Sequence, residues 1–478
     1  MKARAFAASV PLCLIVLLGT ALRLWNLGGE CAWFDEVLSL QHLDAPSLAA
    51  FWRLLAQSDP PAALAPGYFT FEYLWGRLFG PSLLSLRMLS LCCGCACMPL
   101  LYSLGRRLHG RKAGSIAALC LALSMPNIYY AQEVRMYAFI SLLCLLSAWS
   151  LLRILEGGRK GLYAVHGLAN LLLLFSNVFT ALFLLSEAAF LFLFHRKRKS
   201  VLISWMLLQG VFFTLFGLMY ARFAVNSAFW MPQPTWRELI NAFVVLAGGR
   251  YSNENPAPYL PLGLTLDWIL AALLAGSAAC GIRVRSESLE GSRCFLLGWL
   301  LIPPTALFLL AVAWKPCFLY RYVLYASFPL YLLAGAGLAQ MRPARAARLL
   351  IALVLLYAYQ CTPRFTTPFR PDYRSAWQVT TPMCGNDAPM LILKDPLNTL
   401  PMFFVPHAAP RALQSAHGQK DLEESSLQLI SQYGCARVLL WRWDRLAEYE
   451  SFLSSRGIRH KRVTLGGMPP LHVYAIEK

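Results

Sequence analysis

Residues 6–36 read FAASVPLCLIVLLGTAL, then RLWNLGGECA with Trp33 and Phe34 following, and they close on the carboxylate pair Asp35-Glu36. The first block, Phe6 to Leu22, is an apolar run close to the roughly 20 residues a helix needs to cross hydrocarbon. It runs into Arg23, Trp25 and Asn26 without a small-residue cleavage site, so it reads as a retained anchor rather than a removed signal. The pair at its end is the informative part. Adjacent carboxylates beyond a membrane span are costly unless they meet water, a cation or a substrate, and such polar chemistry marks a functional site by default. The remaining sequence is read for whether it builds a membrane fold with chemistry on one face.

Hydrophobic residues make up 58% of the 478-residue chain and charged residues only 14%, with a mean hydropathy of +0.50; soluble domains average about 25% charged. Apolar runs recur through the first three quarters. Alternating sides gives about eleven spans, near 6–27, 83–104, 113–129, 136–155, 161–177, 178–194, 200–221, 262–282, 294–313, 320–340 and 346–361. The division at Ser176-Asn177 rests on the basic loop 195–199, which joins the other basic loops only if the run is split there. The fold expected is a polytopic α-helical membrane domain over 1–361, with a soluble α/β domain over 362–478.

The net charge of +19 raises nucleic acid as a partner, and its distribution argues against it. Arg106, Arg107, Arg111 and Lys112; Arg153, Arg159 and Lys160; Arg196 to Lys199; Arg283, Arg285 and Arg293; and Arg342, Arg345 and Arg348 all fall in short loops on one side. That is the positive-inside pattern, which sets orientation. With Lys2 and Arg4, it makes the amino terminus cytoplasmic. Cys92, Cys93, Cys95 and Cys97 lie in an apolar span without two CxxC arms, so they read as small buried hydrophobes rather than a zinc site. Cys384 and Cys435 share the tail, where the sequence leaves their pairing open.

Three segments then lie outside. Segment 28–82 holds amphipathic stretches at 48–55 and 68–79, with Trp52, Tyr73 and Trp75 suited to an interface, broken by Pro60-Pro61 and Pro66-Gly67. Segment 223–261 has the same character, with Trp230, Trp236 and Tyr251. Either could cover an external cavity or rest on headgroups. In the tail, 388–394 and 436–441 read as buried strands, 422–433 and 446–454 as helices, and 462–476 as a hairpin around Gly466-Gly467.

The outer ends of the spans gather the polar groups: Arg23 before Glu30, Asp35 and Glu36; Gln132, Glu133, Arg135 and Tyr137 after the third span; Lys315, Arg321 and Tyr322 before the tenth. If 130–137 is helical, Glu133 and Tyr137 share one face and Gln132 and Arg135 another. Singly, each reads as an ion pair or a snorkelling side chain; the conjunction on one face is what points to catalysis. Glu187, inside the sixth span, reads equally as a cavity contact or as a partner for a neighbouring helix.

Taken in order, Arg23-Leu24-Trp25, Asp35-Glu36 after its Trp-Phe pair, Leu74-Trp75-Gly76-Arg77-Leu78-Phe79-Gly80 with Arg87, Tyr130-Ala131-Gln132-Glu133-Val134-Arg135-Met136-Tyr137, and Lys315-Pro316 with Arg321-Tyr322 resemble the bacterial membrane glycosyltransferases of the GT-C fold. That group includes protein O-mannosyltransferases, lipid A aminoarabinose transferases and the rhizobial galacturonosyltransferases. The resemblance spans the membrane part and, weakly, Asp372-Tyr373-Arg374. It departs at Leu64-Ala65-Pro66-Gly67-Tyr68, where the family commonly carries His-Pro-Pro-Leu-Tyr, and at Asn177, where a His-Tyr pair is often seen.

The resemblance implies a multi-pass protein of the bacterial cytoplasmic membrane with an extracytoplasmic tail. It implies a polyprenyl-phosphate-linked sugar as donor, an envelope lipid, glycan or protein as acceptor, and inverting transfer at the outer face. A phosphate leaving group departs without a proton, so one base for the acceptor hydroxyl suffices. Asp35 is the first choice, with Glu36 orienting it or holding a cation and Glu133 as the alternative base. Arg135, Arg321 and Lys315 are candidates for the lipid phosphate, where charge accumulates as the glycosidic bond breaks. Arg23 could share that part or anchor its helix end, and Tyr137 and Tyr322 complete the substrate-binding set. No ligand spacing demands a metal, although a divalent cation, Mg or Mn, bridging carboxylate and phosphate fits oxygen donors. The competing classes are a transporter or flippase of lipid-linked sugars and an inactive scaffold. Charges gathered at one face, with no repeated halves, argue against the transporter, and the scaffold leaves the clustered motifs unexplained.

Overall fold

The computed structural model describes residues 2–32, 34–40, 42–58, 64–223, 233–249, 262–284, 290–366, 370, 373–385, 388–393, 413–416, 419–441, 445–465 and 471–478. Trp33, Pro60-Pro61, Trp230, Tyr251, Asp372 and the turn at Gly466-Gly467 lie outside them. All eleven apolar segments are helical, as hydrocarbon requires of a chain that must satisfy its own backbone. Among the described residues, seven helices are long and apolar enough to cross a membrane: Leu83–His109, Tyr137–Leu155, Lys199–Ala221, Gly263–Ile282, Ser292–Ala313, Tyr320–Gln340 and Pro343–Phe365. Pro11–Leu24, Gly161–Ser176 and Val178–Phe194 are shorter apolar helices, and Arg111–Leu123 is shorter again.

The break between the fifth and sixth segments falls at Asn177. Its backbone is extended, and its side chain accepts from Phe179 N at 2.9 Å, starting a new turn at Val178–Thr180. A side-chain oxygen that satisfies an orphan amide is what lets a helix begin inside an otherwise apolar run.

Small residues set the closest helix contact. A Cβ on Gly281 would overlap the Leu333 carbonyl oxygen, and one on Gly337 would overlap that of Ser277. Helices Gly263–Ile282 and Ser327–Gln340 therefore touch backbone to backbone. Lipid supplies no hydrophobic drive between helices, so such close approach supplies the attraction. Glu187 resolves as a partner for its neighbours. Its carboxylate accepts from Ser147 Oγ at 2.7 Å, Trp205 Nε1 at 3.3 Å and Asn170 Nδ2 at 3.4 Å, with His166 Nε2 at 3.8 Å. Four helices, its own and three neighbours, are joined through one buried carboxylate.

The chain divides into two compact units: Met1–Leu27, Ser39–Asn253 and Tyr259–Cys361 form the first, and Gly28–Leu38, Glu254–Pro258 and Thr362–Lys478 the second. The second unit contains a five-stranded mixed sheet among the described residues: β1 Met390–Leu393, β2 Leu413–Ala416, β3 Cys435–Trp441, β4 Arg459–Leu465 and β5 Leu471–Glu477, in the order β2-β1-β3-β5-β4. β1 pairs parallel with β2 and β3, and β5 antiparallel with β3 and β4. Leu391, Val438, Leu440, Tyr474 and Ile476 pack with Leu422 and Leu429 of helix Gln419–Tyr433 and with Tyr449 and Leu453 of helix Leu446–Ser455. Cys384 and Cys435 form a disulfide. Beside it, buried Arg437 donates to Thr380 Oγ1 (2.9 Å), Ala388 O (3.2 Å) and Thr381 Oγ1 (3.3 Å), and also to Gly385 O. Those acceptors satisfy a guanidinium that burial would otherwise make expensive.

Candidate functional site

In the first unit the site residues are organised around the turn 131–136. The condition for Glu133 and Tyr137 to share a helix face, a helix over 130–137, is not met. Helix Met125–Tyr130 ends, helix Tyr137–Leu155 begins, and the residues between form turns. The reason is Gln132. Its Nε2 donates to Arg23 O at 2.6 Å and Trp25 O at 2.9 Å, satisfying carbonyls that the end of helix Lys2–Leu24 leaves orphaned. Arg135 N donates to Glu133 O at 2.8 Å, closing a tight turn. Glu133 is fully buried and Arg135 nearly so.

Arg23 is buried at the end of its helix. Its guanidinium donates to Gly19 O (2.9 Å), Leu121 O (3.0 Å) and Ala122 O (3.2 Å), clamping the end of helix Arg111–Leu123 to its own helix. Beside it is a cavity of about 10 Å³ lined by Gly94, Cys97, Asn127, Tyr130, Ser141 and Leu324 among others, room for about one water. Part of the family pattern is likewise architectural. Arg87 Nη1 donates to Leu27 O at 2.8 Å and Trp75 Nε1 to Ser85 O at 2.8 Å. Gly80 closes helix Pro66–Phe79 at φ +92°, a conformation that favours glycine.

Tyr137, Arg321 and Tyr322 come together. The Arg321 guanidinium lies 5.6 Å from the Tyr137 ring centroid and 5.9 Å from that of Tyr322. Around them, Tyr130 packs edge-on to Tyr137 at 4.9 Å, its hydroxyl meets that of Tyr320 at 3.1 Å, and Phe179 stacks on Tyr322 at 5.1 Å. A ring face attracts a cation by its quadrupole without carrying a formal negative charge. Ring faces thus form part of the setting of the Arg321 guanidinium. Lys315 Nζ lies 5.5 Å from the Trp314 ring.

Asp35 and Glu36 belong to the second unit. They open helix Phe34–Leu40, where the helix dipole favours negative charge. Glu36 is fully buried and pairs with Arg370; Glu30 pairs with Arg364 at 2.5 Å and lies 3.9 Å from Arg370. Asp35 is half-buried. Arg364 and Arg370 were not singled out from the sequence, because nothing local marks a tail arginine as the partner of a carboxylate more than 300 residues earlier. Among the described residues no group of three His, Cys, Asp or Glu side chains is placed to hold a metal ion.

Sequence reading also missed Tyr68 and Glu72, both fully buried in helix Pro66–Phe79. Burial, with the Glu72 carboxylate beside it and against the pull of Arg135, holds the Tyr68 phenol well above its ordinary pKa. The only available signal was a glutamate on the apolar side of an amphipathic stretch.

Residues 64–220 match the family model described as dolichyl-phosphate-mannose-protein mannosyltransferase. No curated protein sequence matches the chain. Among solved structures, ArnT from Cupriavidus metallidurans in the apo state is similar with a TM-score of 0.57 at 12% identity, covering 98% of each chain. The same protein bound to undecaprenyl phosphate gives 0.55 at 12% identity and the same coverage. The apo oligosaccharyltransferase of Archaeoglobus fulgidus gives 0.51 at 12% identity, covering 93% of this chain and 71% of that one. The chain has the GT-C fold of membrane glycosyltransferases, as the resemblance of its motifs implied. It is a multi-pass membrane protein of that fold.

Proposed function

We propose that this protein is an inverting glycosyltransferase that moves a sugar from a polyprenyl-phosphate-linked donor to an envelope lipid, glycan or protein at the outer face of the bacterial cytoplasmic membrane. The observation that carries the proposal is Arg321 seated on the rings of Tyr137 and Tyr322 within a GT-C fold. Support for a lipid-phosphate donor comes from two sources: the matched family's description names a dolichyl-phosphate sugar, and one similar structure holds undecaprenyl phosphate. The disulfide Cys384–Cys435 supports an oxidising, extracytoplasmic setting for residues 362–478.

In this reading the acceptor oxygen attacks the anomeric carbon on the face opposite the phosphate. Its proton passes to Asp35 as the new carbon–oxygen bond forms. The bond from the anomeric carbon to the phosphate oxygen breaks with its electron pair leaving on that oxygen, so configuration inverts and no acid is needed. Arg321 and Arg135, with Lys315 as a further cation, stabilise the charge gathering on the phosphate. Glu36, paired with Arg370, holds the helix that carries Asp35, and Glu133 is the alternative base.

Mass spectrometry of lipids, glycans and envelope proteins from cells with and without the gene tests the proposal. Loss of one glycosyl unit, with polyprenyl-phosphate sugar accumulating, is expected. Unchanged glycoconjugates with lipid-linked sugar held on the cytoplasmic face would replace the transferase reading with a flippase.

A further inference from the structure

Tyr68, Phe69 and Glu72 occupy one face of helix Pro66–Phe79, three and four residues apart, and all are buried. The Arg135 guanidinium lies 5.9 Å from the centroid of the Phe69 ring, so the cation from the turn 131–136 rests against that face. The Tyr68 phenol is flanked by the Glu72 carboxylate and the Ser90 hydroxyl, and it lies within the electrostatic reach of Arg135. A carboxylate with no exposed surface is retained at a cost that opposite charge and polar neighbours must offset. The Tyr68 phenol on the same face draws its own polar neighbours from three segments of one unit: helix Pro66–Phe79, helix Leu83–His109 and the turn bearing Arg135.

We propose that Glu72 is a positioning residue for Arg135. Its carboxylate, on the helix face that Arg135 rests against, fixes where the guanidinium lies over Phe69, and so sets how tightly the protein takes the phosphate of a polyprenyl-phosphate ligand. An arginine side chain has several rotatable bonds, and a ring face fixes height rather than direction. A fixed negative charge one turn along the helix supplies the direction, which lowers the ordering cost when phosphate binds. Glu72 itself does not touch the ligand. The inference rests on the lipid-phosphate reading above.

The test is a double-mutant cycle on the full-length protein in lipid nanodiscs, with binding of undecaprenyl phosphate as the readout. Glu72→Gln is expected to weaken binding about tenfold when Arg135 is present and less than about twofold in the Arg135→Ala background, the signature of two coupled residues. Glu72→Asp, which keeps the charge, is expected to recover part of the loss. Equal losses in both backgrounds, or unchanged binding in Glu72→Gln, would overturn the inference and leave Glu72 as a packing residue. If wild-type protein does not bind undecaprenyl phosphate, the lipid-phosphate reading fails and takes this inference with it, an outcome visible before any variant is made. Thermal unfolding checks that each variant is folded. Should Glu72→Gln fail that check, Tyr68→Phe carries the same cycle with only one hydroxyl removed, and the same dependence on Arg135 is expected.

Discussion

In the first unit, Arg135 lies over the ring of Phe69 and Arg321 over those of Tyr137 and Tyr322; in the second, Arg364 and Arg370 sit on the carboxylates of Glu30 and Glu36. One side-chain type serves two ends. A carboxylate at hydrogen-bond distance cancels the guanidinium charge and locks two segments together, here 28–38 and the start of the tail within one unit. Ring faces hold a guanidinium in place by about 0.5–2 kcal/mol without cancelling its formal charge. The carboxylate pairing holds structure, and the ring seating is the setting we propose for the lipid phosphate. The neighbouring carboxylates of helix Phe34–Leu40 divide in the same way: Glu36 is engaged with Arg370, while half-buried Asp35 carries the proposed chemistry.

The largest expected effect separates those two carboxylates. Asp35→Asn should lower the transfer rate by about 10²–10⁴-fold, the usual range for a lost general base, with the protein still inserted and folded. Near-normal turnover would move the base to Glu133. Glu36→Gln should instead show itself first in thermal unfolding, and a purely kinetic defect there would erase the distinction.

Next comes the structural pair. Arg370→Ala removes the guanidinium paired with buried Glu36 and lying 3.9 Å from Glu30, which keeps Arg364. Breaking a buried pair from one side costs about 3–5 kcal/mol, so denaturant unfolding of the full chain should show a clear loss. An unfolding curve that overlays the wild type would show that the pair holds nothing.

Arg321→Ala sharpens the comparison from the other side. Loss of a charge-assisted contact of about 1.5–3 kcal/mol should weaken donor binding roughly ten- to hundredfold, measured by donor titration of purified protein, with little change in unfolding temperature. If it unfolds the protein as Arg370→Ala does, the ring-seated arginine is structural and the contrast collapses.

The smallest effect is a pH dependence in the second unit's sheet. Burial first, and then the nearby Arg462, hold the His472 imidazole below its ordinary pKa, against the pull of Glu450; Thr464 Oγ1 lies 3.0 Å from its Nδ1. The neutral ring is therefore the form the fold favours. Its contribution is fully present above the ordinary histidine value near about 6.5 and is lost as pH falls through the lower folded value. Thermal unfolding of His472→Gln should show a shallower decline on acidification than the wild type. A slope as steep in the variant would assign the decline to other groups.

The membrane helices and the sheet were legible for different reasons. Each apolar segment had one solution in hydrocarbon, so run length alone located the helices, and Asn177 marked a break that a hydropathy profile smooths over. In the tail, β3 and the pair β4–β5 show apolar runs and alternation that survive in one dimension. β2 escaped because Leu-Gln-Ser-Ala carries no such pattern and becomes a strand only by pairing with β1. The sequence leaves the turn at 131–136 open because its decisive bonds run from Gln132 to carbonyls at the end of the first helix, more than 100 residues away.

The sequence by itself determined that this is a polytopic membrane protein with a sheet-bearing tail and with its ionisable motifs near the ends of apolar segments. Those properties follow from length, hydropathy and charge, which are local sums over the chain. Only the tertiary structure decided what each charged residue does: that Arg23 clamps two helix ends, that Glu187 binds three helices, that Glu36 belongs to Arg370, and that Arg321 rests on tyrosines. A charge has no role until its partner is known, and folding chooses that partner from distant parts of the chain.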